Sequence, residues 1–212
     1  MKILAISDNV LPQLENPQNL RRTYGDAELL LSAGDMPAPY LDLIATTLNL
    51  PVFYVKGNHD TLYEPGAPGG DDLNGRVLSY KGLSFAGLQG SPRYNREPLQ
   101  YTEGEMLLMV LRLAPKLLWR RLRYGYGVDV MVTHAPPRDI HDRSDRAHRG
   151  FQSYRLLLNL YHPHYLLHGH VDTWDNRKPT VTEYRGTTVI NINPVKLLTF
   201  GKEGKTWTLK AH

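Results

Sequence analysis

Cysteine is absent from this chain, so no disulfide staples it and any metal must be taken by His, Asp, Glu or Asn. Long apolar runs are lacking as well: the longest, residues 106–111, is far short of the about 20 residues that span a bilayer. The first seven residues hold one lysine and too few apolar residues for a signal-peptide core, and they read better as a first strand. Neither an internal repeat nor a linker interrupts the sequence. No strong excess of one charge is present either, since 25 Lys and Arg face 21 Asp and Glu for a formal +4. That balance permits nucleic-acid binding without implying it. The densest basic cluster, Arg120-Arg121-Leu122-Arg123, ends a helical stretch, where cations complement the helix dipole, and no aromatic ribonucleoprotein strand accompanies it. The expectation is a soluble, cytoplasmic protein with no membrane or nucleic-acid partner. A chain of 212 residues buries roughly 70% of its unfolded surface, enough for a single domain over 1–212 without staples.

What is present alternates short β-type runs with helical stretches, the pattern of an α/β fold. Residues 3–6, 29–32, 52–55, 128–132 and 165–167 are compact and apolar, as buried strands are. Residues 77–80 and 83–88 flank Lys81-Gly82 as a hairpin. Near the end, 180–184, 187–192, 195–200 and 206–209 predict a closing antiparallel set, with turns at Arg185-Gly186 and 201–204. Thr102 with Glu105 three positions on is a capping box opening a helix that Pro115 is expected to kink or divide. Further helices are predicted over 40–48 and 148–160, the latter presenting Phe151, Tyr154, Leu157, Leu158 and Tyr161 on one face. Residues 65–75, rich in Gly, Pro and Asp, read as a surface loop.

Five motifs carry the chemistry: Ser7-Asp8-Asn9, Gly34-Asp35, Gly57-Asn58-His59-Asp60, Thr133-His134-Ala135-Pro136-Pro137 and His168-Gly169-His170-Val171-Asp172. Most follow a strand run, and an open α/β sheet binds its ligands beyond the carboxyl ends of its strands. Asp8, Asp35, Asn58, His134 and His170 would then converge on one crevice. Carboxylates, an amide and imidazoles together suit Mn, Fe or Zn better than an all-oxygen calcium site. A pair of such ions clamps a phosphoryl group and generates hydroxide for in-line attack, with a carboxylate such as Asp35 as bridge.

The order of these motifs, from Asp8 to Asp172, resembles the calcineurin-like metallophosphoesterase superfamily, in a branch without the His of the first motif. The resemblance implies a four-layer α/β/β/α sandwich, a two-metal centre and hydrolysis of phosphate mono- or diesters. Position by position it implies Asp8 and Asp35 as ligands of a first metal, and Asp35, Asn58, His134 and His170 as ligands of a second. His59 resembles the general acid, with Asp60 orienting its ring. Two positions depart from the family pattern. Val10 stands where the first motif has His, and Asp172 stands where the last motif has its second His. Both missing imidazoles belong to the first metal, which would keep Asp8, Asp35 and Asp172, the last read either as a ligand or as a solvent-facing loop residue. An oxygen-rich site favours Mn or Mg over Zn and predicts a weaker, exchangeable first ion beside a tight second one.

Two further segments bear on substrate. Arg93, in Gly90-Ser91-Pro92-Arg93-Tyr94, is read either as a fork on a phosphate oxygen or as an ordinary surface residue. The polar stretch 138–150 reads as a loop over the crevice, with His141, Asp142 and His148 in unassigned roles. His168 reads as a structural, hydrogen-bonded histidine, and His162 and His164 as residues of a helix-to-strand turn. The functional reading is a metal-dependent phosphoesterase acting on a small phosphate ester, diesters foremost. The alternatives are a monoesterase or phosphoprotein phosphatase, a one-metal scaffold that binds a nucleotide or partner, and, on charge alone, a nuclease.

Overall fold

The computed structural model describes residues 1–60, 66–173, 178–203 and 206–210. In chain order the elements begin with β1 (Lys2–Ile6), α1 (Pro12–Glu15), α2 (Pro17–Tyr24), β2 (Leu29–Ser32), α3 (Ala38–Leu48) and β3 (Val52–Tyr54). Next come β4 (Asp71–Asp72), β5 (Val77–Tyr80), β6 (Leu83–Leu88), β7 (Ser91–Pro92), β8 (Gln100–Tyr101) and α4 (Glu103–Tyr124). The chain continues through β9 (Val130–Thr133), α5 (Gln152–Tyr161), β10 (Tyr165–His168), β11 (Val181–Tyr184), β12 (Thr187–Asn191), β13 (Val195–Glu203) and β14 (Thr206–Lys210).

Period-two alternation sorts the strand side chains into three cores and so builds four layers. Ile3, Ala5, Leu29 and Leu31 point inward against Phe85, Val130, Val132 and Leu167, filling the space between two sheets. Their neighbours Leu4, Ile6 and Leu30 point outward onto Leu14, Leu20, Leu41 and Ile44 of the first three helices. On the opposite side Met131 and Leu166 meet Val110, Leu113 and Leu117 of α4 and Tyr154 and Leu157 of α5. The architecture is the expected α/β/β/α sandwich. One sheet has the order β14-β13-β1-β2-β3-β4 and the other β11-β12-β10-β9-β6-β5, while β7 and β8 form a separate ribbon. In the first sheet β1, β2 and β3 run parallel; in the second, β6, β9, β10 and β12 do. Their carboxyl ends carry all five motifs.

Several local expectations change in three dimensions. The four closing strands are not one antiparallel set. The β13-β14 hairpin adds to the first sheet beside β1, whereas β11-β12 adds to the second, with β12 parallel to β10. The switch between sheets falls at the cis peptide Asn193-Pro194. Pro115 does not divide α4, which runs unbroken from Glu103 to Tyr124. Leu111 and Pro115 both face solvent, so the carbonyl that loses its amide partner can turn to water. The last of the predicted helices begins at Gln152 rather than 148, because Phe151 is held extended against Pro137. Within the expected 65–75 loop, Asp71–Asp72 forms an edge strand on β3; Pro65 and Gly204 lie outside the described residues. Arg120 does more than complement a dipole, since it donates to the Gly127 carbonyl at 2.9 Å and to Ser84 Oγ at 2.7 Å.

Candidate metal centre and active site

Three of the motif residues leave their strands through a sharp turn. Asp8, Asp35 and His170 have φ of 65°, 56° and 65°, left-handed values that Asp and His tolerate better than branched residues do. Three side chains are thereby re-aimed from three strand ends toward one point. The approach is close enough to require glycine at two places. A Cβ on Gly57 would lie 2.6 Å from His134 Cε1, and one on Gly169 would run into the Ser7 and Asp8 side chains.

One ligand atom each from Asp8, Asp35, His134 and His170 lie within 4.8 Å of one another. His134 is fully buried, and its Nδ1 donates to the Ala33 carbonyl at 2.8 Å, so Nε2 is the nitrogen turned to the cluster. Nε2 lies 3.1 Å from Asn58 Oδ1 and 3.3 Å from Asp35 Oδ2. Two oxygen acceptors around one imidazole nitrogen demand a cation between them, either a proton on Nε2 or a metal ion. Burial would lower the His134 pKa, but the Asp35 and Asp8 carboxylates outweigh it and raise it to about 9. Burial likewise acts to raise Asp35, yet the His134 charge and the His59 amide hold that carboxyl down at about 2. His170 is the opposite case: burial, reinforced by the His134 charge, lowers it to about 3 and keeps the ring neutral. Its Nε2 donates to the Ala147 carbonyl at 2.8 Å, which leaves the Nδ1 lone pair for a metal. Asp8 accepts the His170 amide on both oxygens, at 3.0 and 2.9 Å, and its pKa is raised chiefly by burial. Two carboxylates, an amide oxygen, the neutral His170 ring and the His134 Nε2, once an ion displaces its proton, form a donor set that fits a divalent transition metal.

Of the residues read from sequence, Asp8, Asp35, Asn58, His134 and His170 come together. Asp172 and Asp60 depart from their expected roles, Arg93 follows the surface reading rather than the phosphate one, and His59 stays beside the cluster. Asp172 is exposed and outside the cluster, and its Oδ1 accepts from Asn193 Nδ2 at 3.3 Å. Val10 is 43% exposed, so the missing imidazole leaves an open edge rather than a packed one. Asp60 does not orient the His59 ring. Its carboxylate accepts the backbone amides of Asp35 at 2.7 Å, Gly57 at 2.8 Å and Met36 at 3.1 Å, tying two ligand loops together. The His59 ring is exposed at the rim, while its amide donates to Asp35 Oδ1 at 2.8 Å. Arg93 does not aim its fork at the cluster either. Glu105 takes it on both carboxylate oxygens, at 3.0 and 2.9 Å, and the Gln100 carbonyl accepts it at 3.2 Å.

The 138–150 loop sits on the centre as expected, through Ala147 and through His148, whose ring lies 5.1 Å from that of His170. His141 is 2.9 Å from His168 and thus belongs to a structural histidine pair, not to the cluster. Sequence reasoning passed over Tyr94, whose hydroxyl accepts from Asn58 Nδ2 at 3.3 Å and fixes which way the amide points. Its place beside Arg93 in the same motif was the available signal. Asn193 was also missed; it accepts from Asn9 Nδ2 at 2.8 Å, and the Asn-Pro step was its mark.

Residues 1–172 match the family model of calcineurin-like phosphoesterases. Among solved structures the fold is similar to TT1561 of Thermus thermophilus, with TM-score 0.59 and 18% identity over 91% of this chain and 89% of that one. It is also similar to the calcineurin-like phosphoesterase YfkN of Bacillus subtilis, with TM-score 0.56 and 13% identity over 99% and 87%. At these identities the likeness is one of fold. No curated protein sequence matches the chain.

Proposed function

Because the chain belongs to the calcineurin-like phosphoesterase family, we propose that it hydrolyses small phosphate esters, diesters foremost, using divalent ions bound at the Asp8–Asp35–Asn58–His134–His170 cluster. The observation that carries this reading is the meeting of Asn58 Oδ1, Asp35 Oδ2 and His134 Nε2, a set of acceptors that only a cation reconciles. Asp35, Asn58, His134 and His170 would hold a tight ion. Asp8 and Asp35 would hold a second, weaker one, at the edge where Val10 stands, and Mn suits that oxygen-rich position better than Zn. Bound there, the ions supply Lewis acidity toward a phosphoryl oxygen and an activated water at neutral pH.

The chain's own residues do the remaining work. Asp60 clamps the Gly34–Met36 and Gly57 turns through three amides, which fixes the separation of Asp35 and Asn58. His59, exposed at the rim beside Asp35, would give a proton to the departing oxygen. His148 and Ala147 close one wall over His170 and limit water there. A second reading, a one-ion binding protein without turnover, draws on the exposure of Val10 and the displacement of Asp172 from the cluster. Hydrolysis of bis(p-nitrophenyl) phosphate by metal-stripped protein, with and without Mn²⁺, separates the two. Mn-dependent turnover supports the esterase, and turnover no higher than buffer with an ion demonstrably bound supports the second reading.

A further inference from the structure

Arginine is concentrated in one small cavity beside the metal cluster. Arg93, Arg138, Arg146 and Arg149 line a space of about 220 Å³ together with Glu103 and Phe151. Two wall segments of this cavity each touch the centre at an adjacent residue. Arg93 precedes Tyr94, whose hydroxyl holds the Asn58 amide. Arg146 and Arg149 flank Ala147 and His148, which hold the Nε2 and cover the ring of His170. The cavity walls are thus continuous along the chain with residues that contact Asn58 and His170.

Its charge is only half balanced from within, since Glu105 and Glu103 meet Arg93 and Arg138 alone. Glu103 accepts the amides of Gln152 at 3.1 Å and Ser153 at 2.6 Å, the unpaired donors that start α5, and stands 3.9 Å from Arg138. Glu105 is taken up by the Thr102 amide and by Arg93. Arg138 gives its Nε to the Gly150 carbonyl at 2.6 Å. Arg146 and Arg149 are exposed and have no acceptor among the described residues. A cavity with two anchored guanidiniums in its walls and two free ones at its mouth is short of an anion.

We infer that this cavity is a subsite for a second phosphate group of the substrate, so that the preferred substrates are phosphoesters carrying another phosphate close to the scissile one. The inference deepens the esterase reading above and rests on it. Arg146 and Arg149 fork the second phosphate, while Arg93 and Arg138, paired with Glu105 and Glu103, shape the walls. Binding energy gathered there positions the scissile group over the metal cluster without taking part in bond making.

The test compares two chromogenic diesters, thymidine 5′-(p-nitrophenyl phosphate) and the same compound with a 3′-phosphate, on the wild type and on an R146A/R149A variant. The wild type should show a KM about ten- to a hundredfold lower for the doubly phosphorylated ester. The variant should lose that preference while keeping kcat/KM on the singly phosphorylated one, and R146K/R149K should restore part of it. An equal KM for the two esters in the wild type, or a preference that survives in R146A/R149A, overturns the subsite. Absence of turnover on both esters instead counts against the esterase reading. The subsite is then read by calorimetric titration of the metal-free protein with inorganic pyrophosphate. Weaker binding by R146A/R149A than by the wild type supports it, and equal or no binding overturns it.

Discussion

His134 Nε2 lies 3.1 Å from Asn58 Oδ1, and the other nitrogen of the same ring is already committed to the Ala33 carbonyl. A neutral imidazole so held would turn a lone pair toward an oxygen lone pair, with both side chains buried. The pair is stable only around a positive charge, which a proton on Nε2 supplies in the metal-free protein and a divalent ion would supply in its place.

The orientation of Asn58 depends on Tyr94, whose hydroxyl accepts the amide N–H. Tyr94→Phe should weaken binding of the tight ion about tenfold by freeing the amide to turn, with little loss of stability. Calorimetric Mn²⁺ titration of the two proteins checks this. Unchanged affinity would mean that the amide is held by the ion alone.

Asp60 acts as a clamp. Asp60→Asn offers one acceptor and sets an N–H₂ against backbone donors, so stability should fall by roughly 2–3 kcal/mol. Urea unfolding of the metal-free proteins measures it. A variant as stable as the wild type, but with turnover altered only through a shifted pH profile, would return Asp60 to a role on the His59 ring.

His59 and Asp172 should separate cleanly. His59→Ala is expected to lower turnover roughly a hundredfold or more with metal content intact, as loss of a proton donor does. Asp172→Ala should change neither, since its carboxylate is turned to Asn193. Elemental analysis alongside rates decides, and loss of an ion in Asp172→Ala would place that residue back in the first metal site.

A tautomer chain predicts acid sensitivity. The Gly169 carbonyl accepts His168 Nδ1–H at 2.9 Å, so His168 Nε2 accepts from His141 Nδ1–H, and His141 Nε2 accepts from Thr182 Oγ1–H. Burial lowers His141 from the ordinary value of 6.5 to about 4. The folded protein thus resists a proton that the unfolded chain takes up below pH 6.5. This contribution to stability is intact above pH 6.5 and is lost as pH falls from there toward 4. Urea midpoints of metal-free protein at pH 7.5 and 5.0 should fall further for the wild type than for His141→Asn.

Much of this was legible in the sequence because local pattern and global position agree. Apolar runs ending in Asp8, Asp35, Asn58, His134 and His170 are strand ends, and parallel strands present their ends on one side. The capping box of α4 and the buried face of α5 are likewise local. Other features depend on partners distant in the chain. The direction of Arg93 is decided by Glu105 across the β7-β8 ribbon, and the donors to Asp60 come in part from a turn some 25 residues earlier. The division of β11 to β14 between two sheets depends on which edge each hairpin finds, which alternation along a strand does not encode. The arginine cavity joins residues from three separate segments, none of them a motif by itself.

The central claim is that the cluster binds two ions unequally and hydrolyses phosphate esters when both are present. Stepwise addition of Mn²⁺ to metal-free protein, with hydrolysis of bis(p-nitrophenyl) phosphate followed at each step, tests it most directly. The account predicts a tight first equivalent with little turnover, then activity that rises as a second, weaker site fills. Tight uptake of a single ion with no turnover at any Mn²⁺ concentration would contradict it.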